Sequence, residues 1–407
     1  MNKNIKLAVA GAVLALSATA NAGIIIPAGD WTVDLGGNVN AFLANVDTET
    51  TTAAGVRTKA SATNSIGTGL LPSALGIGAK TRQNDIDTAI QFTFFTGSSS
   101  GVGVSGRNGG GAGGNTLNIR QAFLTFGDKS WGTFKLGRDL GIFGSDAILS
   151  DMTLLGVGTG GQLHGGSSTL GRIGSGYIYA DWKGQVSYST PNFNGFQISV
   201  GAMENFGNVS QARRELSYEA KATYDFAADN FSGRVWLGGI SQKSDGLAAV
   251  AGVADAGLVQ GTNAVAAGNT YTSRGVDIGF KASAGPAGVV AYYYDGKGLD
   301  GQNVLQGIFN ANGVKSDDDG GYVQGTYALP TQTKLGVSFG RSNSKSPTQA
   351  FDFENESWVV GAYHPLTKHL NLVAEYTSQE IKNKVAAGTA VSKTENDTVS
   401  LGAILFF

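Results

Sequence analysis

Three acids, Asp139, Asp146 and Asp151, precede the first base, Arg172, in the stretch from Asp139 to Trp182. Carboxylates grouped on one segment, set against bases on another, make a transverse field wherever the two come close, and rings of such charge sort ions passing between them. The bases available are Lys135, Arg138, Lys221, Arg234, Lys281 and Lys334. Catalytic chemistry has less to stand on. The three histidines, His164, His364 and His369, have no nucleophile at working spacing, and no metal-ligand cluster appears. Gly101–Gly106 and Gly156–Gly161 fit G-x-G-x-x-G, but neither joins a strand to a helix, so the helix N-terminus that holds phosphate is missing. The reading is therefore of no enzyme, no cofactor and no metal.

The segments that must position these charges alternate. Trp31, Val33, Leu35, Val39, Ala41 and Leu43 share one parity; Leu216, Tyr218, Ala220, Ala222, Tyr224 and Phe226 share another, as do Leu370, Leu372, Ala374 and Tyr376. The intervening positions are polar, small or charged. A period of two over about ten residues, apolar on one face, is the pattern of a strand that shows one side to lipid and the other to water. The alternation predicts 16 such strands between Trp31 and Phe407, joined by eight long and seven short connections in strict succession. Short turns on one side and long loops on the other describe an antiparallel transmembrane β-barrel, and one of this size leaves an aqueous channel. By parity Lys135, Lys221, Arg234, Lys281 and Lys334 face the lumen with Asp34, Asp87, Glu219, Asp277 and Glu375. Arg120 and Arg138 share the parity of apolar neighbours near the ends of their strands; either they snorkel to the headgroup region or a bulge turns them inward, and Arg138 is expected inward because bulges favour barrel rims.

Composition agrees. Gly is 62 of 407 residues, Pro 7 and Cys 0. Mean hydropathy lies near zero, as it must when half of each strand faces lipid and half faces water. The net charge of −2 is too mild for a nucleic-acid partner. Residues 1–22 read as a signal peptide: Lys3 and Lys6, an apolar run, then Ala20-Asn21-Ala22. Residues 23–407 then form one barrel domain, and its last strand alternates up to Phe407.

WGTFKLGRDLG (Trp131–Gly141), VSYSTPNFNGFQISVGA (Val186–Ala202), RQAFLTF (Arg120–Phe126) and LTKHLNLVAEYT (Leu366–Thr377) resemble strand phrases of the general porins of Gram-negative bacteria, in order and spacing. The resemblance implies an outer-membrane, 16-stranded barrel with short periplasmic turns and long extracellular loops, a homotrimer, and a third loop folded into the lumen. It implies a water-filled channel for passive diffusion of ions and small hydrophilic solutes, the alternative being a substrate-specific channel. It places an arginine at Arg138 close to the pore wall, makes Phe407 similar to the signal read by the outer-membrane insertion machinery, and sets outer-membrane lipid and lipopolysaccharide around the barrel. The constriction expected is Asp139, Asp146, Asp151 and Arg172 on the loop against Lys135, Arg138 and Arg234. The chain departs from the family in the Gly-rich run Gly156–Gly166.

Overall fold

The computed structural model describes residues 23–97, 117–159, 168–205, 211–212, 215–246, 270–299, 315–346, 351–385 and 391–407. The expected signal peptide, His164 and the Gly101–Gly106 run lie outside them.

Sixteen antiparallel strands form one closed sheet. They are β1 Trp31–Thr51, β2 Ser73–Gln83, β3 Ile86–Thr96, β4 Asn118–Asp128, β5 Gly132–Leu140, β6 Trp182–Ser189, β7 Phe196–Met203 and β8 Ser217–Ala228. There follow β9 Phe231–Gly246, β10 Thr270–Ala284, β11 Ala287–Lys297, β12 Asp317–Ala328, β13 Lys334–Ser346, β14 Phe351–Pro365, β15 Leu370–Val385 and β16 Val391–Phe406. Each pairs with its sequence neighbour, and β16 pairs with β1 from Asn38↔Phe406 to Thr51↔Lys393, which closes the wall. The alternation holds: Val39, Leu43 and Leu401 are exposed, whereas Asn38, Asn40 and Phe42 beside them are buried. On the short-turn side, stacked rings ring the outside. Phe126 and Phe134 lie 5.4 Å apart and Phe134 and Tyr188 4.9 Å; Phe226 stacks on Phe231 and Phe280. Rings of this kind suit the membrane interface.

Turn chemistry sets the register. Asn84 and Asp85, with φ of 49° and 63°, make the two-residue turn between β2 and β3, a left-handed geometry that Asn and Asp tolerate. Gly285 (φ 54°) does the same between β10 and β11.

Two features differ from the sequence reading. The first long connection is partly sheet: Arg57–Lys59 and Thr63–Gly67 fold back on the upper half of β1. Thr63–Gly67 keeps the alternation, with Ile66 exposed beside Leu43, while Arg57–Lys59 is polar and exposed throughout, because above the apolar belt a wall needs only backbone pairing. Second, the bulge falls at Arg120 rather than Arg138. Thr93 pairs with Gln121 and Phe94 with Ile119, so Arg120 is the extra residue, and its guanidinium lies 5.0 Å over the inward ring of Phe95. Arg138 stays in register opposite Ala122, in the row of Phe134 and Leu136 that faces away from the lumen.

The seam has a further part. Ile24–Ala28 pairs with β1 from Ile24↔Leu35 to Ala28↔Trp31, directly below the end of β16. Gly36 marks the junction: a Cβ there would stand 3.2 Å from the Phe407 carbonyl oxygen and 3.7 Å from Gly23 Cα. Two strand pieces thus share one edge of β1. Deleting Ile24–Ala28 leaves the lower edge of β1 bare, and each unpaired backbone group costs a few kcal/mol where water is scarce. We expect the deletion to lower the temperature at which the barrel unfolds in heat-modifiability gels; an unchanged transition would show that this edge is satisfied without it.

Candidate functional site

The described parts of the connection between β5 and β6, residues 141–159 and 168–181, run inside the barrel. They hold one helix, α1 (Ser145–Ser150), a 3-10 turn, Met152–Leu155, and a few bridges such as Thr159 N to the Gly171 carbonyl, which leave other backbone donors to be met elsewhere. A buried backbone donor must find an acceptor, and here the wall supplies it. Glu219 on β8 accepts from the Ile142 and Phe143 N–H groups at 2.7 and 2.8 Å. Asp277 on β10 accepts from the Gly144 N–H at 3.0 Å and from the Tyr292 hydroxyl at 3.2 Å. Gln324 on β12 accepts from the Met152 N–H and donates to the Ser150 carbonyl. Glu375 on β15 accepts from the Val157 and Gly158 N–H groups at 2.6 and 2.8 Å, and from Tyr363. The loop is pinned to the wall from β8 round to β15.

Packing completes the seat. Trp236, Tyr292, Tyr294 and Tyr322 on β9, β11 and β12 form one buried cluster with Phe143, Ala147, Ile148 and Tyr177 of the loop. Glycines let the chain come this close. A Cβ at Gly156 would fall 2.1 Å from Glu375 Oε1, and Gly158 (φ 60°) lies against the Gly171 backbone where the loop returns. The Gly-rich departure noted in the sequence is thus partly a packing requirement at the anchor.

The predicted charges separate into distinct places. Asp139 is buried on β5, held by Gln121 at 2.8 Å and by Lys135. Asp146, at the start of α1, meets Lys221 and Arg234 rather than Lys135 or Arg138. Burial alone raises its carboxyl, but the Lys221, Arg234 and Lys281 charges outweigh this and hold it well below the ordinary carboxylate range. Arg234 is shared with Asp225, at 2.6 Å. Asp151 does not face open lumen: its oxygens accept from Thr153 N, Thr153 Oγ1 and Tyr177 Oη, capping the 3-10 turn. Arg172 is wholly buried, with Nη1 donating to the Ser357 carbonyl and hydroxyl at 3.1 and 3.0 Å. Desolvation lowers its pKa, and its Nε and Nη2 find no partner among the described residues. It staples the returning arm of the loop to β14. The expected set of Asp139, Asp146, Asp151 and Arg172 facing Lys135, Arg138 and Arg234 is therefore not one constellation.

Sequence parity placed Glu219, Asp277 and Glu375 inward, but not as anchors. Their only signal was an acid in an inward row, which does not say that a loop backbone will arrive there. Glu219 also carries the buried Lys183. Removing one partner of a buried pair costs about 3–5 kcal/mol. E219A should lose stability on that scale in urea titration, and a Glu219→Met/Lys183→Met double variant should lose less. Equal losses would mean that Lys183 finds another partner and that the pair is not coupled.

A profile of the Gram-negative porins matches residues 7–384. No curated protein matches significantly. Among solved structures, the chain is similar to the outer membrane channel DcaP of Acinetobacter baumannii (TM-score 0.61, 16% identity, 93% of this chain and 99% of that one). It is also similar to an anion-selective porin from Comamonas acidovorans (0.55, 16%, 93% and 100%). A third is in-vitro folded OmpT of Vibrio cholerae in a trimer form (0.55, 14%, 93% and 99%). At these identities the structural likeness establishes the fold, and the profile, over nearly the whole chain, establishes the family. The chain belongs to the Gram-negative porins, outer-membrane β-barrels that form channels for passive diffusion of solutes.

Proposed function

We propose that this porin is a weakly selective, water-filled diffusion channel and not an enzyme, with the pinned loop as its neck. The observation that carries this is the anchoring of the loop by Glu219, Asp277, Gln324 and Glu375, which holds an aperture without a recognition site. The alternative, a substrate-specific channel, needs a solute ladder on the wall. The aromatic residues that could form one, Trp236, Tyr292 and Tyr322, are covered by the loop. In the neck, Lys135 and Arg234 flank the passage, Asp139 backs Lys135 from the wall, and Asp146, Asp151 and Arg172 hold the loop's shape. In planar bilayers the protein should give stepwise, ohmic conductance with no saturable block. Block by a single solute class would favour the specific channel, and insertion without conductance would refute the diffusion reading.

The reading extends to assembly. A trimeric form of one structural relative supports a homotrimer, as does the small-residue row on the outside of the seam. Ala41 and Ala403 pair there on the lipid side, and a shallow groove runs over Gly325, Ala362 and Ala374. Gly402 is not part of that row: it points inward, where a Cβ would strike the Phe42 ring at 2.4 Å. Residues 1–22 would be the export signal, Phe407 the mark for the insertion machinery, and lipopolysaccharide a neighbour of the outer rim. On unheated detergent gels the protein should migrate near three times its monomer mass; a monomer after the mildest extraction would count against the trimer.

A further inference from the structure

The lumen is mixed in total charge but sorted by depth. At the Asp139 and Asp146 ion pairs the acid is enclosed and the bases reach water, whereas Glu219 and Lys183 are enclosed together. Asp139 is 2% exposed against 25% for Lys135, and Asp146 is 4% exposed against 16% for Lys221 and 29% for Arg234. Glu219, Asp277 and Glu375 are buried under the loop with their oxygens turned to backbone N–H groups. Three inward lysines add to this. Lys80, Lys281 and Lys334 sit near the short-turn ends of β2, β10 and β13, and none has a carboxylate within ion-pair distance among the described residues. Lys281 stands directly across from Arg234 in register, and Lys334 lies 5.4 Å over the Tyr363 ring. Of the acids on the strands at this level, Asp34 is half-buried opposite Gly78 without an ion pair and Asp225 is taken up by Arg234; Asp30 and Asp229 lie exposed in the short turns. Arg82 at the rim is balanced by Asp87 and Asp128.

We propose that the channel prefers small anions, inorganic ions and carboxylates alike, and that Lys80, Lys281 and Lys334 set this preference at the periplasmic mouth. The inference rests on the diffusion-channel reading. A passing ion responds most to charges it can approach through water within a Debye length, about 10 Å at 0.1 M salt. A carboxylate that already accepts one or two N–H groups or an ammonium, behind the loop, offers little to that ion. An ammonium that reaches water with no carboxylate in ion-pair distance, fully so at Lys80 and in part at Lys281 and Lys334, offers more of its field, and rings of Lys or Arg are how pores select anions. The overall formal charge of −2 points the other way; the sorting by depth decides against it.

The test is the reversal potential of the wild-type channel in planar bilayers under a potassium chloride gradient. Chloride should permeate more readily than potassium. The triple variant K80Q/K281Q/K334Q should lower the chloride-to-potassium ratio at least about twofold, with the larger effect at low salt. D34N, which removes an inward acid without an ion pair at that level, should raise it. If the triple variant fails to insert, K80Q alone carries the test, because Lys80 is exposed and holds no partner. A potassium-preferring wild type, or ratios unchanged in K80Q and the triple variant alike, overturns the proposal while leaving the diffusion channel standing. A protein that inserts and never conducts overturns both.

Discussion

Inside a bilayer there is no water to satisfy an unpaired N–H or C=O, so a sheet can cross only if it has no edge. Everything else in this structure follows from that. The closure between β16 and β1 runs from Phe406 to Lys393, and where β16 ends, Ile24–Ala28 continues the same edge. Above the apolar belt the pairing persists while the alternation lapses, as in Arg57–Lys59 on β1. Hydrogen bonding, more than side-chain hydrophobicity, dictates how far the wall extends.

The same requirement governs the inside. A loop that enters the lumen brings its own backbone donors into a crowded space, and they must be matched. Three wall carboxylates do much of this work, taking N–H groups of the loop at Ile142, Phe143, Gly144, Val157 and Gly158. Charged acceptors make stronger hydrogen bonds than neutral ones, so a handful of them suffices to hold the crossing. The consequence for function is indirect. Acids used as anchors are withdrawn from the water-filled passage, whereas Lys135, Lys221 and Arg234 keep part of their surface in it. A residue's sign is thus a poor guide to its influence on permeation unless its depth is known.

The sequence by itself determined the architecture. The two-residue period in segments such as Trp31–Leu43 and Leu370–Tyr376, with the succession of long and short connections, specified sixteen strands, their inward and outward faces and the side of the short turns. A period of two leaves no freedom, because a one-residue slip would put an entire apolar row into water. It also placed Lys135, Lys221, Arg234, Glu219, Asp277 and Glu375 on the inward face.

Only the tertiary structure decided what those inward residues meet. Nothing local tells Asp146 that it will reach Lys221 and Arg234 across the lumen, or Asp151 that it will cap its own loop, since both contacts depend on where a long irregular segment lands. The bulge at Arg120 is of the same kind: parity showed that Arg120 and Arg138 both broke the pattern, but a bulge needs only one extra residue on one strand, and either site would have served. Periodic backbone geometry repeats in the sequence and is legible there; a single crossing of the lumen happens once, and its partners are chosen by the shape of the closed barrel.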